Sequence, residues 1–333
     1  MKMDNFLMTT ARELMIQFSE DTGLTSNTLP RRYLWTDAFA VCNFLGLCQT
    51  NKEEKFKDIA IKLVNQVHRI LGQHRTDDER TGWLGSQDHP TKNGLRIGKS
   101  LNERKPHEPY DFIREWDRDG QYFHYLTKWM HTLIRVYQVV NEEKYLHWAV
   151  DLAQASTAFI SDSRMYWKMS IDLSYPLVPS MGEHDPIDGY TTFKELQTFT
   201  DVDLEEEIKK FEKMMQQLNF ITIDPLGIGG QLSDAYRLKQ LDADPELSQG
   251  LINAAQKGLE LSQLSHGLAF RELGLAIGLQ AAQKMDVLEK YWSLIEEINQ
   301  YWLKHCDWTE HIDINRVMLA TSLAPESFLS ISD

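Results

Sequence analysis

The sequence predicts an all-α chain. Three observations carry that expectation. Apolar residues recur at three- and four-residue steps over most of the 333 residues. Strand-like stretches are few. The amphipathic segments come in pairs with short connections, as antiparallel helical hairpins do. The spacing predicts a first helix over residues 6–20, a second in "RRYLWTDAFAVCNFLGLCQ" and a third in "EEKFKDIAIKLVNQVHRILGQH". Residues 75–119 follow as a long polar stretch, with "TGWLGSQDHPTKNGLRIGKS" and "ERKPHEPYDF" rich in Gly, Pro and charge. Helices are then expected near 120–140, 142–162, 187–199, 202–218, 227–241, 246–264, 266–285, 287–304 and 310–322. "NFITI" and "MYWKMSI" suit short extended pieces. The total is about twelve helices.

An internal repeat supports the pairing. The second helix of a pair opens three times alike: "NKEEKFKDIAIKL" (Asn51–Leu63), "NEEKYLHWAVDL" (Asn141–Leu152) and "LEKYWSLIEEI" (Leu288–Ile298). Each runs Glu-Lys-aromatic and then places apolar residues at helical steps. Glutamates in a first turn suit the positive end of the helix dipole. If the N-terminal helix pairs with the last, six hairpins result. Six inner and six outer helices make an (α/α)6 toroid, here one domain over residues 1–333 with 75–119 as a long cleft-side loop. This layout resembles the six-hairpin glycosidase superfamily and the related N-acylglucosamine 2-epimerase-like proteins. The resemblance is one of layout and covers most of the chain. It implies that the loops feeding the inner helices line a cleft that binds sugars. In this sequence those helices are expected to start near Tyr33, Gly120, Pro186, Leu226, His266 and Glu310.

Charge narrows the partners. A net charge of -14 argues against nucleic acid, because a phosphate backbone needs a basic footprint, and it disfavours an anionic membrane surface. No run of about 18 apolar residues suggests a spanning helix. "MKMDNFLMTTARELMIQF" carries acids early and does not look like a secretory signal. Three cysteines, Cys42, Cys48 and Cys306, at uninformative spacings suit core thiols in a reducing cytoplasm. The expected partner is a small saccharide or sugar derivative, with no cofactor. No zinc-like cysteine or HExxH spacing points to a metal.

The helix starts carry the candidate chemistry. "RRYLWTDAF" sets Trp35 beside Asp37: an indole for the C–H face of a sugar, a carboxylate for its hydroxyls. The plainer alternatives are core packing for Trp35 and a first-turn acid for Asp37. "EWDRDGQYFHYL" supplies Trp116, Asp117 and Asp119, with Asp119 a fair N-cap. Gln121, His124 and Lys128 share one face of the helix that follows, while Tyr122, Leu126, Trp129, Leu133 and Val136 share another. "SYPLVPSMGEHDPIDGY" is the strongest signal, with Glu183, His184, Asp185 and Asp188 in six residues. Pro186 suits a first helical position, making Asp185 the expected N-cap. A stiff loop presenting Glu183 and His184 at a helix start suits proton transfer.

"TIDPLGIGGQLSDAYRL" is glycine-rich without phosphate-loop spacing, so its glycines serve close helix packing or a ligand near the amides. "SHGLAFRELG" adds His266, Arg271 and Glu272, the last two adjacent and so not paired with each other. "CDWTEHIDINR" adds Trp308, Glu310, His311 and Arg316. In the long loop, Trp83 is a further stacking candidate. Arg96, Lys99, Arg104 and Lys105 suit an anionic ligand group or a counterweight to the acidic body.

The expectation is a carbohydrate-active enzyme, a glycoside hydrolase with Glu183 as general acid and Asp37 or Asp119 as the second carboxylate. His184 and His124 would bind hydroxyls, and Trp35, Trp83 and Trp116 would stack on the sugar. Asp117, Gln121, Asp188, His266, Arg271 and His311 complete the candidate site. Two alternatives stand beside it. One is a sugar epimerase or isomerase with His184, His266 or His311 moving the proton. The other is a non-enzymatic helical-ring binding protein.

Overall fold

A computed structural model describes residues 2–162, 164–262 and 266–331. Among them run fourteen α-helices. The first six are α1 (Lys2–Asp21), α2 (Leu34–Asn51), α3 (Glu54–Leu71), α4 (Phe112–Asp117), α5 (Phe123–Val140) and α6 (Glu143–Ser156). The remainder are α7 (Asp185–Gln197), α8 (Glu205–Met215), α9 (Pro225–Gln240), α10 (Pro245–Leu261), α11 (Ala269–Met285), α12 (Ser293–Lys304), α13 (Ile312–Leu323) and α14 (Glu326–Leu329). Five strands of two or three residues accompany them: β1 (Gln121–Tyr122), β2 (Ile160–Ser161), β3 (Arg164–Met165), β4 (Lys168–Met169) and β5 (Pro176–Val178). The twelve expected helices are all present. Residues 263 and 264, at the end of the expected 246–264 helix, lie outside the described residues. The short α4 and α14 have too few residues to show a period.

The chain, expected as one domain, divides into two compact units. One holds residues 1–29, 42–60 and 219–333, the other residues 30–41 and 61–218. α2 and α3 give part of their length to each.

In the first unit, α9 packs on α10, α11 on α12, and α1 on α13, so the N-terminal helix does pair with a late one. Phe44 of α2 stacks near Phe56 of α3, with ring centroids 6.3 Å apart. The α9 start follows local rules: Asp224 caps it by accepting from the Gly227 amide, and Pro225 opens the helix. α9 and α11 also pack together, and small residues let their backbones meet. A Cβ on Gly229 would sit on the Gly274 carbonyl, and one on Gly278 on the Gly229 carbonyl. Gly229 of "LGIGG" thus serves close helix packing. "NFITI", expected as a strand, is irregular: residues 219–224 lead into α9 with no strand partner among the described residues.

In the second unit, α5 packs on α6 and α7, and α7 on α8. β1, β4 and β5 form a small antiparallel sheet in the order β1-β4-β5, while β2 and β3 pair separately. "MYWKMSI" therefore belongs to two strands. The 75–119 stretch is ordered by ion pairs and buried polar contacts in place of helical periodicity. Arg80 pairs with Asp78 and Glu103, Arg104 with Glu115, and Arg118 with Glu108. Lys105 pairs with Glu79. Of the four basic residues weighed as anion binders, Arg96, Arg104 and Lys105 are each engaged by a carboxylate. The Lys99 ammonium lies 5.5 Å from the Tyr33 ring centre.

Gly229→Ala should destabilise the protein by about 1–3 kcal/mol, because the added methyl meets backbone that cannot rotate away. Urea unfolding would register a lower midpoint. An unchanged midpoint would mean the two helices are free to move apart.

Candidate active site

Asp37 and Asp119 are both held by structural contacts. Asp37 lies in the first turn of α2, buried, and accepts from the Tyr33 amide (2.9 Å) and Arg32 Nη1 (3.3 Å). Trp35 is buried against Phe39, with centroids 4.5 Å apart. Asp119 is fully buried. It accepts from the Gly98 amide at 3.0 Å, the Gly120 amide at 3.1 Å, Arg96 Nη1 at 2.5 Å and Arg75 Nη1 at 3.4 Å. It does not cap α5, because Gln121 and Tyr122 form β1 and the helix begins directly after them, at Phe123. Gly120 permits this path with φ of 149°, and a side chain there would press on the Met169 carbonyl. Gln121 spends its amide on the backbone, donating to Asn93 O and Ile171 O and accepting from the Leu95 amide. Asp117 is exposed, and Trp83 is half-buried, both in the 75–119 stretch, which forms an arm of the second unit.

The loop 174–190 gives a different result. α7 begins at Asp185 itself, with His184 in the N-cap position, so Asp185 does not cap it. Its side chain turns inward and is buried. Asp188 follows one turn later on the same face. It accepts from Lys128 Nζ at 2.7 Å and Thr127 Oγ1 at 2.5 Å, both from α5. His124, one turn before Lys128, places Nδ1 3.6 Å from Asp185 Oδ1. Two helix starts therefore meet through two pairs, His124 with Asp185 and Lys128 with Asp188. Glu183, the acid the sequence favoured, is exposed in the preceding turn and makes no ion pair or side-chain hydrogen bond among the described residues.

Electrostatics separates Asp185 from the other acids. Burial pushes its carboxyl up to about 7, and the negative charge of Asp188 adds to the shift against the opposing effect of His184. Its Oδ2 is buried and has no hydrogen-bond partner among the described residues. Both facts fit a carboxyl that keeps its proton near neutrality. His124 moves the other way, down to about 4, chiefly by burial, so its imidazole is neutral.

Aromatic rings lead away from this pair. Tyr122 stacks on His124 at 5.5 Å and on Trp167 at 5.1 Å, and Trp116 meets Trp167 edge-on at 5.3 Å. Tyr125 lies 5.1 Å from Tyr122 and shares a 2.5 Å hydroxyl contact with Tyr33. Trp116 is thus joined to His124 by a run of rings. Trp35 and Trp83 have no ring contact with it.

The first unit holds the other candidates. His266 Nδ1 is 3.3 Å from Glu272 Oε2, which also accepts from Trp302 Nε1 at 2.9 Å. The His266 ring lies 3.7 Å from that of Tyr301. Arg271 pairs with Asp224 at 2.7 Å, and not with adjacent Glu272. His311 packs against Phe270. His266 and His311 both have φ near +50°, at 49° and 54°, a left-handed conformation uncommon outside glycine and often held at functional positions. Among the described residues, no three of His, Cys, Asp and Glu gather as a metal-holding group. No described helix is long and apolar enough to cross a membrane.

No family model and no curated protein matches the sequence. Solved structures do match. The GH76A alpha-1,6-mannanase from Salegentibacter sp. HEL1_6 is 14% identical, with a TM-score of 0.62 over 96% of this chain and 99% of its own. Cellobiose 2-epimerase from Bacillus thermoamylovorans B4167 is 10% identical, with a TM-score of 0.56 over 87% of each chain. A D-mannose isomerase is 14% identical, with a TM-score of 0.52 over 90% of this chain and 87% of its own. The fold is that of the (α/α)6 toroid proteins. At these identities the likeness is one of fold.

The raised Asp185 carboxyl sets a pH dependence. Its folded value of about 7 lies above the ordinary 3.8, so between those values the folded state holds the extra proton. That contribution is present at low pH and lost as pH rises through 7. The stability of Asp185→Asn relative to wild type should therefore rise from about pH 4 to 7, by up to about 1.4 kcal/mol per pH unit, and level off above pH 7. Urea titrations at several pH values would measure it. A gap independent of pH would mean Asp185 is ionised throughout.

Proposed function

We propose that the protein is a carbohydrate-active enzyme, a glycoside hydrolase in which Asp185 is the general acid. One observation carries the reading: a buried carboxyl poised to hold a proton near neutrality lies one helical turn from a carboxylate paired with Lys128. Hydrolysis needs that asymmetry. Asp185 gives its proton to the glycosidic oxygen, the bond from that oxygen to the anomeric carbon breaks, and water adds to the carbon. Asp188 takes the proton that the water loses. The pair then exchanges protons with solvent to reset. Trp167, half-buried, supplies a ring face for the sugar, Tyr122 stacks between it and His124, and Lys128 holds Asp188 in place. The fold neighbours support a saccharide ligand. An inactive variant of the Salegentibacter mannanase, with two aspartates changed to asparagine, was solved with alpha-1,6-mannotriose.

A second reading rests on His266. Glu272 holds its Nδ1, an arrangement that leaves the far ring nitrogen free to move a proton, as a sugar epimerase or isomerase requires. The two readings diverge under mutation. Incubation with oligosaccharides, followed by NMR, separates bond cleavage from a change of sugar without cleavage. For the hydrolase, Asp185→Asn should lower turnover by roughly 100-fold or more, His266→Gln should cost far less, and the wild-type rate should fall above about pH 7. Loss of turnover in His266→Gln with Asp185→Asn still active would transfer the chemistry to the histidine.

A further inference from the structure

α4 is amphipathic the wrong way round. Its acid, Glu115, is buried at 3% exposure, while Phe112, Ile113 and Trp116 are exposed at 61%, 79% and 42%. Tyr110, just before the helix, is 52% exposed. Elsewhere apolar side chains go inward and carboxylates outward. Here the reversal is enforced. Glu115 is drawn in by Lys168, whose ammonium has no exposure, and by Arg104. Arg104 also lies 5.7 Å from the Tyr110 ring centre, which steadies that ring over the arm. The outward rings are therefore held in place by the fold.

The occupant that suits this face is a sugar ring. The face is mostly aromatic, and flat rings stack on the C–H side of a pyranose. It is continuous with the proposed site: Trp116 meets Trp167, Trp167 stacks on Tyr122, Tyr122 stacks on His124, and His124 lies beside Asp185. Exposed Asp111, Arg114 and Asp117 border it with groups that can bond hydroxyls. A face of four side chains is also small beside a stable protein interface, which has roughly 20–30 residues a side.

We infer that Tyr110, Phe112 and Trp116 form a distal subsite for one unit of an oligosaccharide, so that the substrate is a chain of several sugars. This rests on the saccharide reading above. The test compares catalytic efficiency on a series of oligosaccharides from two to six units in wild type, Trp116→Ala and Phe112→Ala. Wild-type kcat/KM should rise with length. The substitutions should flatten that rise, lowering efficiency on the longest substrate roughly tenfold relative to the shortest, while Trp116→Phe restores most of it.

Titration of Asp185→Asn with the same sugars, read by tryptophan fluorescence, separates the two ideas. Cleavage by wild type with no length dependence, or equal losses at every length in Trp116→Ala, overturns the subsite and leaves the hydrolase standing. Length-dependent binding that Trp116→Ala abolishes, without cleavage by wild type, keeps the subsite and removes the hydrolase. Neither binding nor cleavage overturns both. A wild-type dimer that Trp116→Ala splits, seen by light scattering, would make the face a contact between copies and overturn the subsite.

Discussion

A lysine with no access to water needs an acceptor for each of its protons. Lys168 finds three: Glu115 Oε1 at 2.9 Å, and the carbonyls of Glu115 and Arg118, both at 2.8 Å. Breaking such a pair would leave a buried charge uncompensated, at a cost of about 3–5 kcal/mol. The arrangement of the second unit follows from this contact. It ties β4 to α4 and to the residues that lead into β1. β1 then pairs with β4, Gln121 opposite Met169 and Tyr122 opposite Lys168. That pairing fixes where α5 begins, and so where His124 and Lys128 stand. It also puts Tyr122 between Trp167 and His124.

The same constraint explains the acids of the arm. The chain has a net charge of -14, yet several of its carboxylates near the start of α5 are bound to cations. Asp119 meets Arg96 and Arg75, Glu103 meets Arg80, and Glu115 meets Lys168 and Arg104. A carboxyl can be buried in two ways: paired with a cation or kept neutral. These acids take the first course. Asp185 has no Lys or Arg at ion-pair distance among the described residues, faces a neutral imidazole, and takes the second.

The helices were legible because their apolar residues repeat with the helical period over ten or more residues. So was the α9 start, where Asp224 and Pro225 act locally. The gathering of His124, His184 and Asp188 was legible as well, since each sits at an inner helix start. Asp185 was misread because an acid before a proline at a helix start is most simply a cap. Whether it caps or turns inward depends on where the helix begins, and that shifted by one residue. Trp167 was hidden in a stretch read only as extended. Asp119 and Gln121 were read as site residues because their partners, Arg96 and the Ile171 carbonyl, lie 23 and 50 residues away. The inversion of α4 had no local sign, since it depends on Lys168, 53 residues beyond Glu115.

What distinguishes the two aspartates of α7 is written on α5. Both lie in the first turn of one helix, so its dipole favours negative charge on each. Their separation along α7 is three residues, and that of His124 and Lys128 along α5 is four, so each pair presents one face to the other. Lys128 meets Asp188 and His124 meets Asp185. A cation opposite one acid and a neutral ring opposite the other break the equivalence. Asp188, paired with Lys128, then pushes the Asp185 carboxyl further upward. Among the described residues, Lys128 is already paired with Asp188 one turn away, which leaves burial as the largest influence on the Asp185 carboxyl.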